Sequence, residues 1–309
     1  MLPTDPPTTI FRLPFPWKSL RWIPRRPWRA LVQYPWRVRA LLGMIGLVLF
    51  LYAWQVEPWM IRVVTYQIVS RKIPQEFYGT KIVFLSDIHH GAPRSADLRK
   101  KILRLVEAQH PDLIIFGGDY AKNTETSLCD YFDDYRELSV TLGKYGILGN
   151  HDYWDPSVVR DIMHQAGITM LDNESIRLTK GNTKIKLVGV GDLWKASPSL
   201  ASLKRDVTPE DFTILLSHNP DYVDKIPQND LESIDLVLSG HSHGGQVTLF
   251  GLYAPIQTTQ RKYRTGLVKP APGGKTTVIV SNGLGTSGLP FRFFAPPQLV
   301  VVELKGLSN

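Results

Sequence analysis

The chain has 309 residues, of which 43% are hydrophobic and 21% are charged, and its formal net charge is +8. This composition excludes a largely disordered or fibrous chain and fits one large globular domain with appendages. A single cysteine, Cys129, excludes an internal disulfide and a structural zinc site built from thiolates.

The positive charge is concentrated at the N-terminus. Residues 1–39 hold eight of the 36 Lys and Arg residues and one of the 28 acidic residues, so the rest of the chain carries 28 basic and 27 acidic side chains. A nearly neutral body argues against a nucleic-acid partner. The same segment holds eight prolines and four of the eight tryptophans. A segment rich in both Arg and Trp is typical of proteins that contact a lipid surface, so we expect a tail that contacts the membrane. The alternative is a disordered basic leader.

Residues 40–56 are predicted to form a membrane anchor. They are 17 uncharged residues rich in Leu, Val and Ile, and Trp54 and Trp59 flank the far end of the segment. A helix of this length spans about 25 Å, close to a bilayer core, and indole rings favour the interface. We expect a single N-terminal anchor in the cell (inner) membrane, with an in-plane helix as the alternative.

The side of the membrane on which the body lies is left open by the sequence. If the anchor spans, the positive charges keep the tail in the cytoplasm and the body lies on the far side; if it only dips in, the body stays cytoplasmic. Residues 57–79 are predicted as a connector, and residues 80–309 as the catalytic domain.

Short apolar runs alternate with helical patterns in the body. Strands are predicted at 81–86, 113–117, 145–149, 185–190, 213–217, 235–239, 276–281 and 298–304, and helices at 95–108, 131–142 and 157–165. Strands alternating with helices indicate an α/β fold.

Five polar motifs each follow directly on one of these predicted strands. They are Ser86-Asp87-Ile88-His89, Gly117-Gly118-Asp119, Gly149-Asn150-His151-Asp152, Ser217-His218-Asn219 and Gly240-His241-Ser242-His243-Gly244-Gly245-Gln246. Catalytic residues are held rigidly at the carboxyl ends of strands. Carboxylate, amide and imidazole donors suit Mn, Fe or Zn, and two such ions can share a carboxylate and clamp a displacement at phosphorus. Asp119 is the natural bridging residue.

The order of these motifs resembles the calcineurin-like metallophosphoesterase superfamily. The GHSHGGQ ending, with Gly283–Thr286 and Leu289–Arg292, is similar to its YkuE-like branch, and the resemblance covers about residues 75–305. It implies a four-layer αββα sandwich, so the predicted fold class is an α/β sandwich with an N-terminal membrane anchor. It also implies two divalent metal ions, with Mn preferred and Fe or Zn as alternatives.

The resemblance further implies a role for each motif residue. One ion would be held by Asp87, His89, Asp119 and His243, and the other by Asp119, Asn150, His218 and His241. His151 would lie near the leaving group as the catalytic residue, a role that suits a side chain titrating near neutrality.

Four residues near the motifs carry secondary interpretations. Protein Ser/Thr phosphatases of the superfamily have a second Asp where this chain has Lys122 and Asn123, which argues against that branch. Asp152 is then a candidate to orient His151, or a helix cap. Arg292 is interpreted as a structural arginine with a packed stem, with a phosphate clamp as the alternative.

The expected activity is hydrolysis of a phosphodiester or pyrophosphate bond, in a lipid-linked substrate at the membrane. One alternative is a UDP-2,3-diacylglucosamine pyrophosphatase of lipid A biosynthesis, and another is an inactive metal-binding scaffold. The expected partners are the membrane lipid surface and a phosphate-ester or nucleotide-lipid substrate, with no nucleic acid.

Overall fold

The computed structural model describes residues 35–91, 95–120, 125–205, 208, 210–255, 258–271 and 273–307. The predictions for most of the basic tail, and those for Lys122 and Asn123, lie outside these residues. The chain divides into two units, residues 1–50 and 51–309, which are described separately.

The described part of the first unit is almost entirely one helix, α1, Trp36–Leu51, none of whose residues is buried. The helical path continues in the second unit through Tyr52–Val56 and Glu57–Trp59. Together, Trp36–Trp59 form a helix of 24 residues that is long and apolar enough to cross a membrane. This candidate span contains the anchor predicted at 40–56 and extends beyond both of its ends.

The second unit contains twelve strands and five α-helices among its described residues. Its elements are β1 Arg62–Val69, β2 Lys81–Leu85, α2 Ser95–Glu107, β3 Leu113–Phe116, α3 Glu125–Arg136, β4 Lys144–Gly146, α4 Pro156–Gln165, β5 Thr169–Met170, β6 Ser175–Lys180, β7 Thr183–Gly189, α5 Ala201–Lys204, β8 Thr213–Leu216, α6 Gln228–Leu231, β9 Leu236–Ser239, β10 Gly266–Val268, β11 Thr277–Val280 and β12 Gln298–Lys305.

The strands form two six-stranded sheets. The first has the order β1-β12-β2-β3-β4-β5, and the second has the order β10-β11-β9-β8-β7-β6. Strands β2, β3 and β4 are parallel neighbours in the first sheet, as are β8 and β9 in the second. Parallel neighbours bring the carboxyl ends of several strands to one edge of each sheet.

Side-chain alternation along the strands explains the layering. In β2, Phe84 faces a core shared by the two sheets, whereas Val83 faces a second core against α2, α3 and α4. In β8, Leu216 faces the shared core and Leu215 a third core against α5 and α6. Each sheet is buried on both faces, which requires the near-continuous apolar strands seen in the sequence. The predicted four-layer αββα sandwich is therefore confirmed.

Residues 62–69, which the sequence analysis assigned to the connector, form β1 instead. This strand pairs in parallel with β12 from Arg62 opposite Gln298 to Val69 opposite Lys305. Only Ile68 among its residues is buried, so this edge strand lacks the apolar run of a central one. Strands β5, β6 and β10 were also missed, since they are short or partly exposed.

The helix predicted at 131–142 is displaced in the structure, where α3 ends at Arg136. The Lys144 ammonium donates to the carbonyls of Tyr135 and Arg136, at 2.5 and 3.3 Å. A cation at these last carbonyls stabilises the end of the helix. The apolar residues that follow, Leu138 and Val140, pack against the same core without being helical.

Candidate dimetal site

The seven predicted metal ligands lie where strands of the two sheets end. Asp87 and His89 follow β2, Asp119 follows β3, Asn150 follows β4, His218 follows β8, and His241 and His243 follow β9. The site therefore joins one edge of the first sheet to one edge of the second.

Asp87, His89 and His243 form the first group of donors. The Nε2 atoms of His89 and His243 are 3.1 Å apart, and His243 Nε2 is 3.3 Å from Asp87 Oδ1. Donors that share one cation, with bonds of about 2.0–2.2 Å, lie roughly 3–3.5 Å from each other. The spacing of this group matches that requirement.

His218, His241 and Asp119 form the second group. His218 Nε2 lies 3.3 Å from Asp119 Oδ2 and 3.3 Å from His241 Nδ1. All three side chains are buried.

A single oxygen of Asp119 faces both groups. Its Oδ2 lies 3.6 Å from His89 Nε2 in the first group, as well as 3.3 Å from His218 Nε2 in the second. The other oxygen, Oδ1, accepts the backbone N–H of His151 at 2.8 Å. This is the geometry required of a carboxylate that bridges two cations.

Asn150 provides a separate test of whether cations fit here. Its Oδ1 atom is buried and has no hydrogen-bond partner among the described residues. A buried acceptor without a partner costs about 1–3 kcal/mol. A cation supplies the missing partner, and the mixture of carboxylate, amide and imidazole donors fits a pair of divalent ions.

The backbone is strained at five of the seven predicted ligands. Asp87, His89, Asp119, His241 and His243 have φ between 45° and 66°. This left-handed conformation costs roughly 1–3 kcal/mol at a residue with a side chain and persists only where the surroundings impose it. Such strain concentrates at functional sites, because it aims side chains that regular structure would direct elsewhere.

Two glycines allow the loops to approach the carboxylates. A Cβ atom on Gly240 would lie 2.2 Å from Asp87 Oδ2, and one on Gly149 would lie 2.3 Å from Asp119 Oδ1. No side chain fits at either position without displacing a ligand, which explains the glycine that opens two of the motifs.

The later block at Gly283–Thr286 supports the first motif. The backbone N–H of Leu284 donates to the Ser86 carbonyl at 3.0 Å, and that of Gly285 donates to the Asp87 carbonyl at 2.7 Å. These bonds fix the turn that carries Asp87 and His89.

Arg292 has no exposed surface and is surrounded by backbone carbonyls. Its guanidinium donates to the carbonyls of Asn282 and Ala295 at 2.8 Å, of Gly285 at 3.0 Å and of His243 at 3.2 Å. Burial lowers the pKa of Arg292 to about 10, which leaves it protonated at neutral pH. The group holds the loops behind the site together, which supports the structural interpretation over a phosphate clamp.

Asp152 joins two motifs and does not orient the His151 side chain. Its buried carboxylate accepts the N–H groups of Asp119, Tyr120 and Gly149 at 2.7–2.8 Å. The interpretation of Asp152 as the partner of the histidine is therefore wrong, because its oxygens are used to fix the loop that carries Asp119. The His151 side chain is exposed, and its ring centroid lies 4.9 Å from that of His89.

The sequence analysis missed two residues after β7. The ring of Trp194 stands perpendicular to that of His241, with centroids 4.3 Å apart. The carboxylate of Asp192 fixes this turn by accepting the N–H groups of Trp194 and Lys195, both at 2.9 Å. Gly191-Asp192 after an apolar strand repeats the pattern of the Gly118-Asp119 motif, and that pattern could have identified the turn.

Charges in the site are strongly coupled. Burial raises the pKa of Asp87 to about 6. Burial also acts to raise that of Asp119, but the imidazoles of His218 and His89 prevail and hold its pKa below the usual range. Burial lowers the pKa of His241 to about 3. Cation binding here competes with protons, because the donors must bind as carboxylates and neutral imidazoles.

Comparisons with known proteins agree with this geometry. The sequence model of the calcineurin-like phosphoesterase family matches residues 80–245. The uncharacterised metallophosphoesterase YkuE of Bacillus subtilis is 34% identical over 83% of this chain and 90% of its own length. The phosphodiesterase YaeI of Escherichia coli is 32% identical over 72% of this chain and 82% of its own length. A transmembrane protein with a metallophosphoesterase domain from Danio rerio is 28% identical over 79% of this chain and 57% of its own length.

Fold, site and relatives together define a metal-dependent phosphoesterase, a hydrolase of a family that uses two metal ions. The chain belongs to the calcineurin-like phosphoesterase family, in the branch that contains YkuE and YaeI.

Proposed function

We propose that this protein hydrolyses a phosphodiester or pyrophosphate bond in a lipid-linked substrate at the cell membrane. Two divalent cations, with manganese preferred, would be held by Asp87, His89, Asp119 and His243 and by Asp119, Asn150, His218 and His241. When bound, such ions polarise the phosphoryl group and lower the pKa of a water molecule.

The proposal of a lipid-linked substrate rests on one observation. The end of the candidate span is hydrogen-bonded to the loops of the site. The carboxylate of Glu57, in the last turn of the span, accepts the N–H groups of Phe294 and Ala295 at 2.9 and 2.6 Å. The N–H of Arg292 donates to the Ala53 carbonyl at 2.9 Å. The Arg292 side chain in turn holds His243 and Gly285. An enzyme whose site is fastened to its anchor gains most from a substrate in the same membrane, through a raised effective concentration.

His151 would act on the leaving group. Its backbone is fixed by the bond to Asp119 Oδ1, while its exposed ring borders His89. From there the imidazole would donate a proton to the departing oxygen. Trp194 borders His241 on another side of the site and would limit how a substrate approaches.

UDP-2,3-diacylglucosamine is the second candidate substrate, since it combines a pyrophosphate with acyl chains. It requires the catalytic unit to face the cytoplasm. The concentration of positive charge in residues 1–39 instead favours a catalytic unit on the far side of the membrane. A complete set of donors and relatives named for phosphoesterase activity support a hydrolase over an inactive scaffold.

The test uses full-length protein in lipid nanodiscs with manganese. It compares a phospholipid diester, UDP-2,3-diacylglucosamine and a water-soluble aryl phosphodiester, with Asp119→Ala as the inactive control. Cleavage of either lipid at a higher kcat/KM than the aryl diester supports the proposal, and the preferred lipid selects between the two candidates. Cleavage of the aryl diester alone would refute the lipid-linked substrate while leaving a working phosphoesterase.

A further inference from the structure

A cavity of about 340 Å³ lies beside the candidate metal site. Its volume falls within the range of small-molecule binding sites, which is about 300–1,000 Å³. The wall consists mainly of hydrocarbon and aromatic surface, contributed by Trp54, Trp59, Leu98, Ile102, Tyr131 and Leu284.

One wall of the cavity is shared with the metal site. His89 lines the cavity, and its Nε2 is the atom that lies 3.1 Å from His243 Nε2 and 3.6 Å from Asp119 Oδ2. Ile88 and Gly285, which flank the Asp87–His89 turn, also line it. A molecule in the cavity would therefore have one end next to a phosphate held at the metal site.

Another wall is formed by the end of the candidate span. Trp54, Gln55, Pro58 and Trp59 line the cavity and belong to the helical path Trp36–Trp59. Tryptophan at the end of a span favours the level of the lipid headgroups. An acyl chain that leaves the bilayer at this level would reach the cavity without crossing open water.

Arg99, a charged side chain on the wall, is already engaged within the protein. The guanidinium of Arg99 pairs with Asp134, at 3.0 Å between Nε and Oδ2, and donates to the Asp130 carbonyl. The ring of His90 packs beside that of Tyr131, with ring centroids 5.1 Å apart. These groups favour an apolar occupant over a sugar or nucleobase, which needs partners of its own.

We propose that this cavity binds an acyl chain of the substrate, directly beside the phosphate to be cleaved. The inference rests on the proposed lipid-linked substrate and deepens it, because it assigns recognition of the lipid to residues of α2 and of the last turns of the anchor.

The test uses full-length protein in nanodiscs and a series of alkylphosphonates, from butyl to decyl, as inhibitors of aryl diester hydrolysis. Each added methylene should lower the inhibition constant by about fourfold while the cavity fills. In Leu98→Trp, whose larger side chain occupies the cavity, this dependence on chain length should be lost. Trp54→Ala removes part of the wall at a half-exposed position. It should raise the inhibition constant of decylphosphonate by a factor at least ten times larger than the factor for butylphosphonate.

Leu103→Trp is the matched control, because Leu103 lies on the same helix, α2, but does not line the cavity. It should keep the dependence on chain length, and it corrects for partitioning of the inhibitors into the nanodisc. The acyl site would be overturned if the inhibition constant depended equally on chain length in wild type and Leu98→Trp. It would also be overturned if the wild-type inhibition constant did not change with chain length. If the slopes differ as expected but no lipid diester is cleaved, the cavity assignment stands and the proposed substrate fails.

Discussion

Single residues at the site combine chemical identity with an unusual backbone. The left-handed conformation of Asp87, Asp119 and His241 is held by hydrogen bonds from neighbouring motifs. The His241 N–H, for example, donates to both oxygens of Asp87 at 3.0 Å. Each ligand therefore depends on the others, so the loss of one should disturb more than its own coordination.

Asp119→Ala should release metal from both positions. Its Oδ2 faces both donor groups, so no other side chain can replace it as the bridge. Elemental analysis after gel filtration should find far less than two ions per chain, and phosphodiesterase activity should be undetectable. Full two-metal occupancy in this variant would exclude a bridging role.

His151→Ala should keep its metal and lose most of its turnover. The imidazole is exposed at the border of the site, and its removal leaves the backbone bond to Asp119 in place. The loss of a proton donor costs roughly 10²–10⁴-fold in kcat. The loss should be smallest with an aryl leaving group, which needs no proton. Near-normal kcat with a phospholipid diester would remove His151 from the mechanism.

At the scale of elements, the end of the candidate span is hydrogen-bonded to the catalytic unit. Glu57 is almost fully buried, and its carboxylate joins the last turn of the span to the 294–295 backbone. Strand β1 follows directly and pairs along its whole length with β12. Glu57 and residues 62–69, which follow the candidate span, are thus joined to the catalytic unit by hydrogen bonds.

Glu57→Ala should destabilise the catalytic unit. It leaves the N–H groups of Phe294 and Ala295 without their acceptor, at a cost of about 1–3 kcal/mol each. For a domain of this size, that lowers the melting temperature by roughly 5–15 °C. Glu57→Gln, which keeps one acceptor oxygen, should have a smaller effect in differential scanning fluorimetry.

Glu107→Ala, at the exposed end of α2, is the control and should leave the melting temperature within about 1 °C. If Glu57→Ala and Glu107→Ala had the same melting temperature, the hydrogen bonds to the Glu57 carboxylate would contribute nothing to stability.

At the scale of the whole molecule, the site lies between the edges of two sheets. Ligands from β2, β3 and β4 meet ligands from β8 and β9, so bound cations would join sheets that otherwise meet through their shared apolar core. Removing the cations would leave buried carboxylates beside imidazoles, and only protons could then balance the negative charge of these carboxylates.

Chelation should therefore lower the stability of the entire catalytic unit. A ligand present at 100 times its Kd stabilises the folded state by about 2.7 kcal/mol. Treatment with EDTA should reduce the melting temperature by several degrees and abolish activity, and added manganese should restore both. Asp119→Ala serves as the control, because its melting temperature should not respond to EDTA. A wild-type melting curve unchanged by EDTA would contradict a stabilising metal pair.

The sequence by itself determined the chemical identity of the donors, their order along the chain and their place after apolar strands. It could do so because strand ends and turn residues are local patterns. The apolar helix and the layered α/β fold were predictable from local patterns too. Continuous apolar strands are required where a sheet is buried on both faces.

The resemblance implied which donors share a cation, but only the tertiary structure shows the contacts themselves. His89 and His243 are 154 positions apart, yet their Nε2 atoms lie 3.1 Å from each other. The partners of Asp152, Arg292 and Glu57 depend in the same way on how distant loops pack. Edge strand β1 was missed although it is rich in β-branched residues, and its place in the sheet follows from its register with β12. Such contacts follow from the packing of two sheets, which no local pattern records.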